Sequence, residues 1–378
     1  MKFAASGLST SATMVSRALA RWFPTPAMIY PRAAGIDISD ASVKWLVLTP
    51  FRSRCKIETY GEIPIEPGVV VNGIIQDVGA LAHALSEAKK HLGGISCAHA
   101  ALPEEAAYVF EMHVPEGTDH DQAISMIEFG FEGRVPIPVS AAVYDFDIIQ
   151  KRDESAGEDI GVAVFPLELA ESYAAAFHEA GIQLLSLEIE ARSIARLISS
   201  SAVNEPVTLL VDFGRARTGF AVLKRGIPIF TSTVEVGGDM ITRAVVEKMS
   251  LSPEQAQVFK NEQGLVPDAG PKSPGIEAVL STASALADEI TRHYHYWDTR
   301  RNEKGERMTP VGRVVLVGGS ANLKGLPDYI AGRVQAPTSI ANIWEHVFNF
   351  DEYIPPLDSR ISLQYATAAG LALRSLSL

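Results

Sequence analysis

The chain has 378 residues, 47% apolar and 21% charged, a composition that suits a globular protein of two domains better than one built on a single core. Its net charge of −12, with no basic cluster longer than two or three residues, excludes a nucleic-acid-binding face. Two cysteines, Cys55 and Cys97, show neither CxxC nor zinc spacing and read as core residues in a reducing, cytoplasmic setting, and no apolar run reaches the roughly 20 residues that cross a bilayer.

Residues 1–30 carry no apolar stretch of the signal-peptide kind. Read as a helix, "MVSRALARWF" sets Met14, Leu19 and Trp22 near one face, suited to a membrane surface or a partner; the plainer reading is a loose N-terminal extension. "AAGIDI" and "VKWLVL" then run apolar around a polar break, which predicts a β-hairpin, and "CKIETYGEIPI" continues extended. "DVGALAHALSEAKKHLGG" has helical spacing at Val78, Leu81, Leu85 and Leu92 and stops on a glycine pair.

Residues 95–187 read as one compact set in the order strand, strand, helix, strand, strand, helix, strand, with the polar turn "KRDESAGED" inside it. "EIEARSIARLISS" predicts a helix, and "PVTLLVDFG", "TGFAVLKRG" and "IPIFTSTVEVGG" a second three-strand meander. One long helical stretch covers 239–263, a Gly/Pro-rich loop 264–275, and a long amphipathic helix 276–302. "RVVLVGGSANLKGLPDYIAGRV" reads as strand, glycine turn and helix, and "SLQYATAAGLALRSL" as a closing helix. His293 and His295 flank Tyr294, but on a helix they point apart and no third metal ligand is evident.

A strand ending in Asp, a turn and a second strand occur twice, as "GIDISDASVKWLVL" and "LLVDFGRARTGFAVL". Such a duplication predicts two related halves facing a cleft. Hairpin turns present N–H groups to phosphate oxygens, and Asp37 and Asp212 are placed to hold waters of a magnesium ion, which uses few protein carboxylates.

Five stretches, in order, carry a resemblance: "GIDISDASVK", "VDFGRART", "VEVGGDMITRAVV", "SPEQAQVFK" and "VVLVGGSANLKGLPDYI". With them, residues 33–375 resemble the actin-like ATPase superfamily and, within its FtsA/PilM branch, the PilM family of type IV pilus assembly proteins. The resemblance implies an α/β fold of two lobes around a nucleotide cleft, with an inserted α+β subdomain. Residues 31–99, 187–205 and 362–378 would form the first lobe, 100–186 the insertion, and 206–361 the second lobe, itself interrupted at roughly 239–310.

By the same resemblance, Asp37, Ser39, Lys44, Asp212, Gly214, Thr218, Gly237, Gly238, Gln257, Lys260, Gly318, Gly319 and Ser320 line an ATP site. Asp37 and Asp212 serve Mg2+, and Glu190 is the candidate that orients an attacking water. Ser39 and Asp40 depart from the pattern: serine stands where glycine would allow positive φ, and Asp40 brings a negative charge beside the phosphates. Arg215 or Arg217 would offset that charge.

The implied function is a cytoplasmic scaffold of a type IV pilus or type II secretion platform, at most a slow ATPase. It binds the N-terminal peptide of a PilN-like bitopic inner-membrane protein and is peripheral to the inner membrane through that partner or through residues 1–30, with self-association left open. The alternatives are a scaffold that has lost ATP binding, an FtsA-like division protein that would need a membrane helix after "LALRSLSL", and a sugar kinase, for which no substrate base is evident.

Overall fold

The computed structural model describes residues 31–151, 157–199, 205–265, 274–301, 305 and 307–376. The N-terminal extension, part of the 151–159 turn and most of the 264–275 loop lie outside the described residues.

Two five-stranded sheets of matching topology form the frame. In the first, β1 (Ala33–Ile38), β2 (Ser42–Phe51) and β3 (Arg54–Pro64) make an antiparallel meander. A two-strand ribbon, β4 (Val70–Val71) and β5 (Ile74–Ile75), follows, then helix α1 (Val78–Lys89), N-capped by the Asp77 side chain. β6 (Cys97–Leu102) returns parallel to β1.

The chain then leaves the sheet. β7 (Tyr108–Val114), helix α2 (His120–Phe129), β8 (Ala142–Lys151) and β9 (Glu158–Pro166) form a separate three-stranded antiparallel sheet in the order β7-β9-β8, covered by α2. Helix α3 (Leu167–Glu179) packs back on α1, and β10 (Gln183–Ile189) joins the first sheet parallel to β6. The independent unit is therefore narrower than the expected 100–186. At the two ends of that range, β6, β10 and helix α3 bury their apolar faces in the first lobe, through Leu102, Tyr173, Phe177 and Leu187.

Helix α4 (Glu190–Ile198) leads to the second sheet: β11 (Thr208–Phe213), β12 (Thr218–Lys224) and β13 (Ile227–Val234) as a meander. Helices α5 (Gly238–Met249), α6 (Pro253–Gln263) and α7 (Pro274–Thr299) follow. The single helical stretch expected at 239–263 breaks at Ser250, which is left-handed (φ 54°); Ser252 then starts α6 with a capping box and Pro253 in the first turn. β14 (Arg313–Val317) lies parallel to β11, and helix α8 (Leu326–Val334) and β15 (Thr338–Ile340) complete the sheet.

A short turn, α9 (Ser359–Ser362), precedes the closing helix α10 (Ala366–Leu373), which lies between β1 and α4. Close approach sets its sequence. A Cβ at Gly370 would lie 1.9 Å from the Ser193 carbonyl oxygen, so only glycine lets α10 cross α4 at this separation.

Candidate functional site

The carboxyl ends of four strands, β1 and β6 from one sheet and β11 and β14 from the other, meet at a cleft. Asp37 and Asp212 hold the same next-to-last position in β1 and β11, so the duplication legible in the sequence sets two aspartates facing each other. Asp37 pairs across the hairpin with Lys44, and Asp212 with Gly219.

After β6, Pro103 turns the chain into one 3-10 turn, Glu104–Ala106, which brings two further carboxylates to the cleft. Glu104 accepts from the Ala191 N–H at the start of α4, and Gly219 lies so close to it that a Cβ there would be 2.5 Å from Glu104 Oε2. Glu190, the first residue of α4, completes the group.

Burial dominates the electrostatics. It pushes the Asp212 carboxyl up to about 7, with Asp37 and Glu105 adding to the shift and Lys44 opposing it. Glu104 is raised well above the usual carboxylate range by burial, then by Asp212 and Glu105. Glu190 is raised likewise by burial, then by Asp37, Glu104, Glu105 and Asp212. Asp37 is raised by burial against the opposing Lys44 ammonium. Carboxyls arranged this way hold protons that a cation would displace. Among the described residues no three His, Cys, Asp or Glu side chains converge to ligate a metal directly. The donor set fits a cation that keeps its water shell, as magnesium does.

The first loop differs from expectation in its backbone. Ser39 does not adopt positive φ, so serine is unstrained there. Its hydroxyl accepts from the Ser42 N–H at 3.1 Å and lies 3.1 Å from the Ser42 carbonyl, stapling the turn from within. Lys44 Nζ donates to Ser42 Oγ at 3.0 Å and lies 3.4 Å from Glu62 Oε1. Asp40 is turned away from a bare charge: it accepts from the Asn72 and Gly73 N–H groups at 3.1 and 3.0 Å and is ion-paired with Arg217. Arg217, from the second loop, also pairs with Glu105.

The second loop is pinned to the start of α5. The Gly214 N–H donates to the Asp212 and Arg217 carbonyls, and Thr218 Oγ1 donates to the Val236 carbonyl. Gly238 and Asp239 give their N–H groups to the Gly214 and Arg215 carbonyls at 3.1 and 2.9 Å, and the Arg215 side chain pairs with Asp239. The α5 N-terminus at Gly237 and Gly238 thus spends its first donors on the loop rather than presenting them to an anion.

Gly238, Lys260 and Ser320 converge at the start of α5. A Cβ at Gly238 would fall 2.0 Å from Ser320 Oγ, and buried Lys260 donates to the Gly238 carbonyl at 3.2 Å. Gln257, one turn before Lys260 on α6, accepts from Thr242 Oγ1 at 3.0 Å. Gly318 and Gly319 follow β14; Gly318 sits at φ +88°, where a Cβ would lie 2.3 Å from Asp212 Oδ1. Glu104 and Glu105 were not singled out in the sequence; the signal was the acid pair just after the wholly buried strand β6. His293 stacks on Phe220, with ring centroids 4.1 Å apart.

A second concavity lies between β8 and β9 of the small sheet, β10, α4 and the start of β13. Its floor is apolar, with Val162, Leu187 and Pro228, and its rim charged, with Asp147, Arg192 and Arg374. Arg192 donates to Asp147 at 2.7 Å and to the Gly226 carbonyl at 3.2 Å, so one side chain ties α4, the small sheet and the second lobe together. No helix among the described residues is long and apolar enough to cross a membrane.

Comparison with known proteins agrees with this architecture. The family model for type IV pilus assembly protein PilM matches residues 35–376. Among curated proteins, the cell division protein FtsA of Streptococcus pneumoniae is 23% identical over 329 residues, covering 78% of this chain and 72% of FtsA. Among solved structures, the PilM-PilN type IV pilus biogenesis complex superposes with a TM-score of 0.76 at 19% identity, over 92% of this chain and 100% of that one. MreB5 of Spiroplasma citri bound to AMPPNP superposes at 0.51 and 12% identity, over 89% of this chain and 94% of that one. With an actin-like fold and a family match across both lobes and the small sheet, the chain belongs to the type IV pilus assembly protein PilM family.

Proposed function

We propose that this chain is a nucleotide-binding scaffold of a type IV pilus assembly platform, which captures a short segment of a PilN-like membrane protein in the groove beside the small sheet. The observation that carries this reading is the groove itself, an apolar floor with charged rims, walled by both lobes and the insertion. Such grooves take short peptides through a few apolar anchors. Attachment to the inner membrane would then run through the partner, from the cytoplasmic side.

In the cleft, Asp37 and Asp212 would hold a hydrated Mg2+, and Lys44 with the two loops would face the phosphates. Gly238, Gln257, Lys260, Gly318, Gly319 and Ser320 would surround the nucleoside. Bound magnesium neutralises phosphate charge. The chain's own residues would orient that unit, and Glu190, whose carboxyl burial and then Asp37 raise well above the usual range, is poorly suited to act as a base. Turnover should accordingly be slow, below about 1 per second.

The test is fluorescence anisotropy of a labelled peptide from the N-terminus of the same organism's PilN-like protein. Saturable binding that Ala163→Trp, on the β9 wall of the groove, abolishes in a chain whose circular dichroism is unchanged supports the reading. No binding, or binding indifferent to the groove-filling substitution, contradicts it.

A further inference from the structure

Arg217, in the second loop, reaches into the first half of the molecule at the cleft's mouth. Its two guanidinium ends are divided between Asp40, in the first loop, and Glu105, in the turn after β6. Asp40 is in turn fixed by the Asn72 and Gly73 N–H groups of the β4–β5 ribbon. Three segments of the first half, the first loop, the ribbon and the Glu104–Ala106 turn, are thereby strapped to one cation of the second. All three participants are only about a quarter exposed, with side chains at 22, 27 and 24%.

The two loops so bridged are those that flank Asp37 and Asp212, where a phosphate chain would enter. A guanidinium has forked donors that suit carboxylates and phosphates alike, and it cannot satisfy both at once. Arg215, its neighbour, is held on its own side of the cleft by Asp239 and does not span it.

We infer that Arg217 is a phosphate-sensing residue that exchanges Asp40 and Glu105 for the phosphates of a bound nucleotide. This rests on the nucleotide-binding reading above and deepens it. The consequence is mechanical. Glu105 stands three residues before β7, the first strand of the small sheet, so releasing it frees the root of that sheet. Phosphate occupancy is thereby reported to the strands that wall the peptide groove, without any nucleotide contact there. Asp40 acquires a role as well: with Arg217 gone to the phosphates, it remains tied to the ribbon rather than turned on the ligand.

The test is a double-mutant cycle read by calorimetric titration with Mg-ATP and, separately, with magnesium inorganic triphosphate. The proteins are wild type, Glu105→Gln, Arg217→Gln and the double variant, each checked by thermal melt, with Arg217→Lys as a charge-retaining second variant. Freed of one carboxylate, Arg217 should tighten Mg-ATP by about five- to ten-fold in Glu105→Gln. Arg217→Gln should weaken it by about ten-fold, and in that background Glu105→Gln should change affinity by at most about two-fold. Arg217→Lys, unable to fork, should fall between. Triphosphate should show the same pattern, because the exchange concerns phosphates alone. Equal effects of Glu105→Gln with and without Arg217 overturn the exchange while leaving nucleotide binding intact. Absence of binding in every folded variant overturns nucleotide binding itself, and the sensing role with it.

Discussion

Asp212→Asn should stabilise the protein, and the gain should grow with pH. Asp212 is pushed up to about 7 from an ordinary 3.8, first by burial and then by Asp37 and Glu105. A carboxyl whose folded-state pKa is raised binds its proton more tightly in the native state. Its contribution to stability is therefore whole below about pH 4 and is lost as pH rises toward 7. A shift of about three pK steps corresponds to roughly 4 kcal/mol. Because the cleft is partly open to water, about 2–3 kcal/mol is the working figure. Asparagine removes that cost at pH 8, while at pH 5 only about a third of it has accrued. Urea unfolding at both values, without divalent cation, reads the difference. A midpoint that rises at pH 8, and by about a third as much at pH 5, is expected. A midpoint that falls equally at both would refute the reasoning, because it would mean that Asp212 is held by favourable contacts rather than paid for by function.

Other outcomes follow from the same geometry. Gly318→Ala combines positive φ with a Cβ 2.3 Å from Asp212 Oδ1, so it should cost about 2–4 kcal/mol in chemical denaturation and displace the Asp212 carboxyl. Gly370→Ala drives a Cβ against the Ser193 carbonyl and should destabilise the α10–α4 crossing by at least as much, seen as loss of the folded fraction on expression. His99, buried between Ser186 Oγ at 2.7 Å and Ser375 Oγ at 3.0 Å, is pushed down to about 4 by burial and then by Arg374. It should stay neutral in NMR titrations to well below pH 6, and the stability it contributes should be complete above about pH 6.5 and lost as pH falls toward 4; a midpoint near 6.5 would contradict its placement.

Much of this was legible in the chain. The two hairpins and their terminal aspartates stood out because strand alternation and a repeated Asp-turn pattern are local signals. Ser252, Gln255 and Pro253 likewise announce the start of α6, yet the break before it was missed, because a left-handed Ser250 leaves no mark in apolar spacing. The placement of β6 and β10 in the first sheet was not legible either. Their pairing partners lie some 60 residues or more from them in sequence, and a buried strand reads the same in any sheet. The acid pair Glu104-Glu105 carries no local mark of a site in the sequence. Only the folded chain sets it against Asp212, Gly219 and Arg217, and the same long-range closure turns Asp40 from an expected repeller of phosphate into a neutralised anchor.

The central claim is that the cleft grips Mg-nucleotide. Calorimetric titration of the full chain with Mg-ATP, beside Asp37→Asn and the Ser39→Gly/Asp40→Ser double variant, tests it most directly. Micromolar binding by wild type is expected, with its loss in Asp37→Asn and a gain of at most about ten-fold in the double variant, because Ser39 is unstrained and Asp40→Ser only frees Arg217 of one carboxylate. Binding confined to the double variant, with none by wild type up to about 1 mM, would contradict the claim and leave the cleft a relic in a nucleotide-free scaffold.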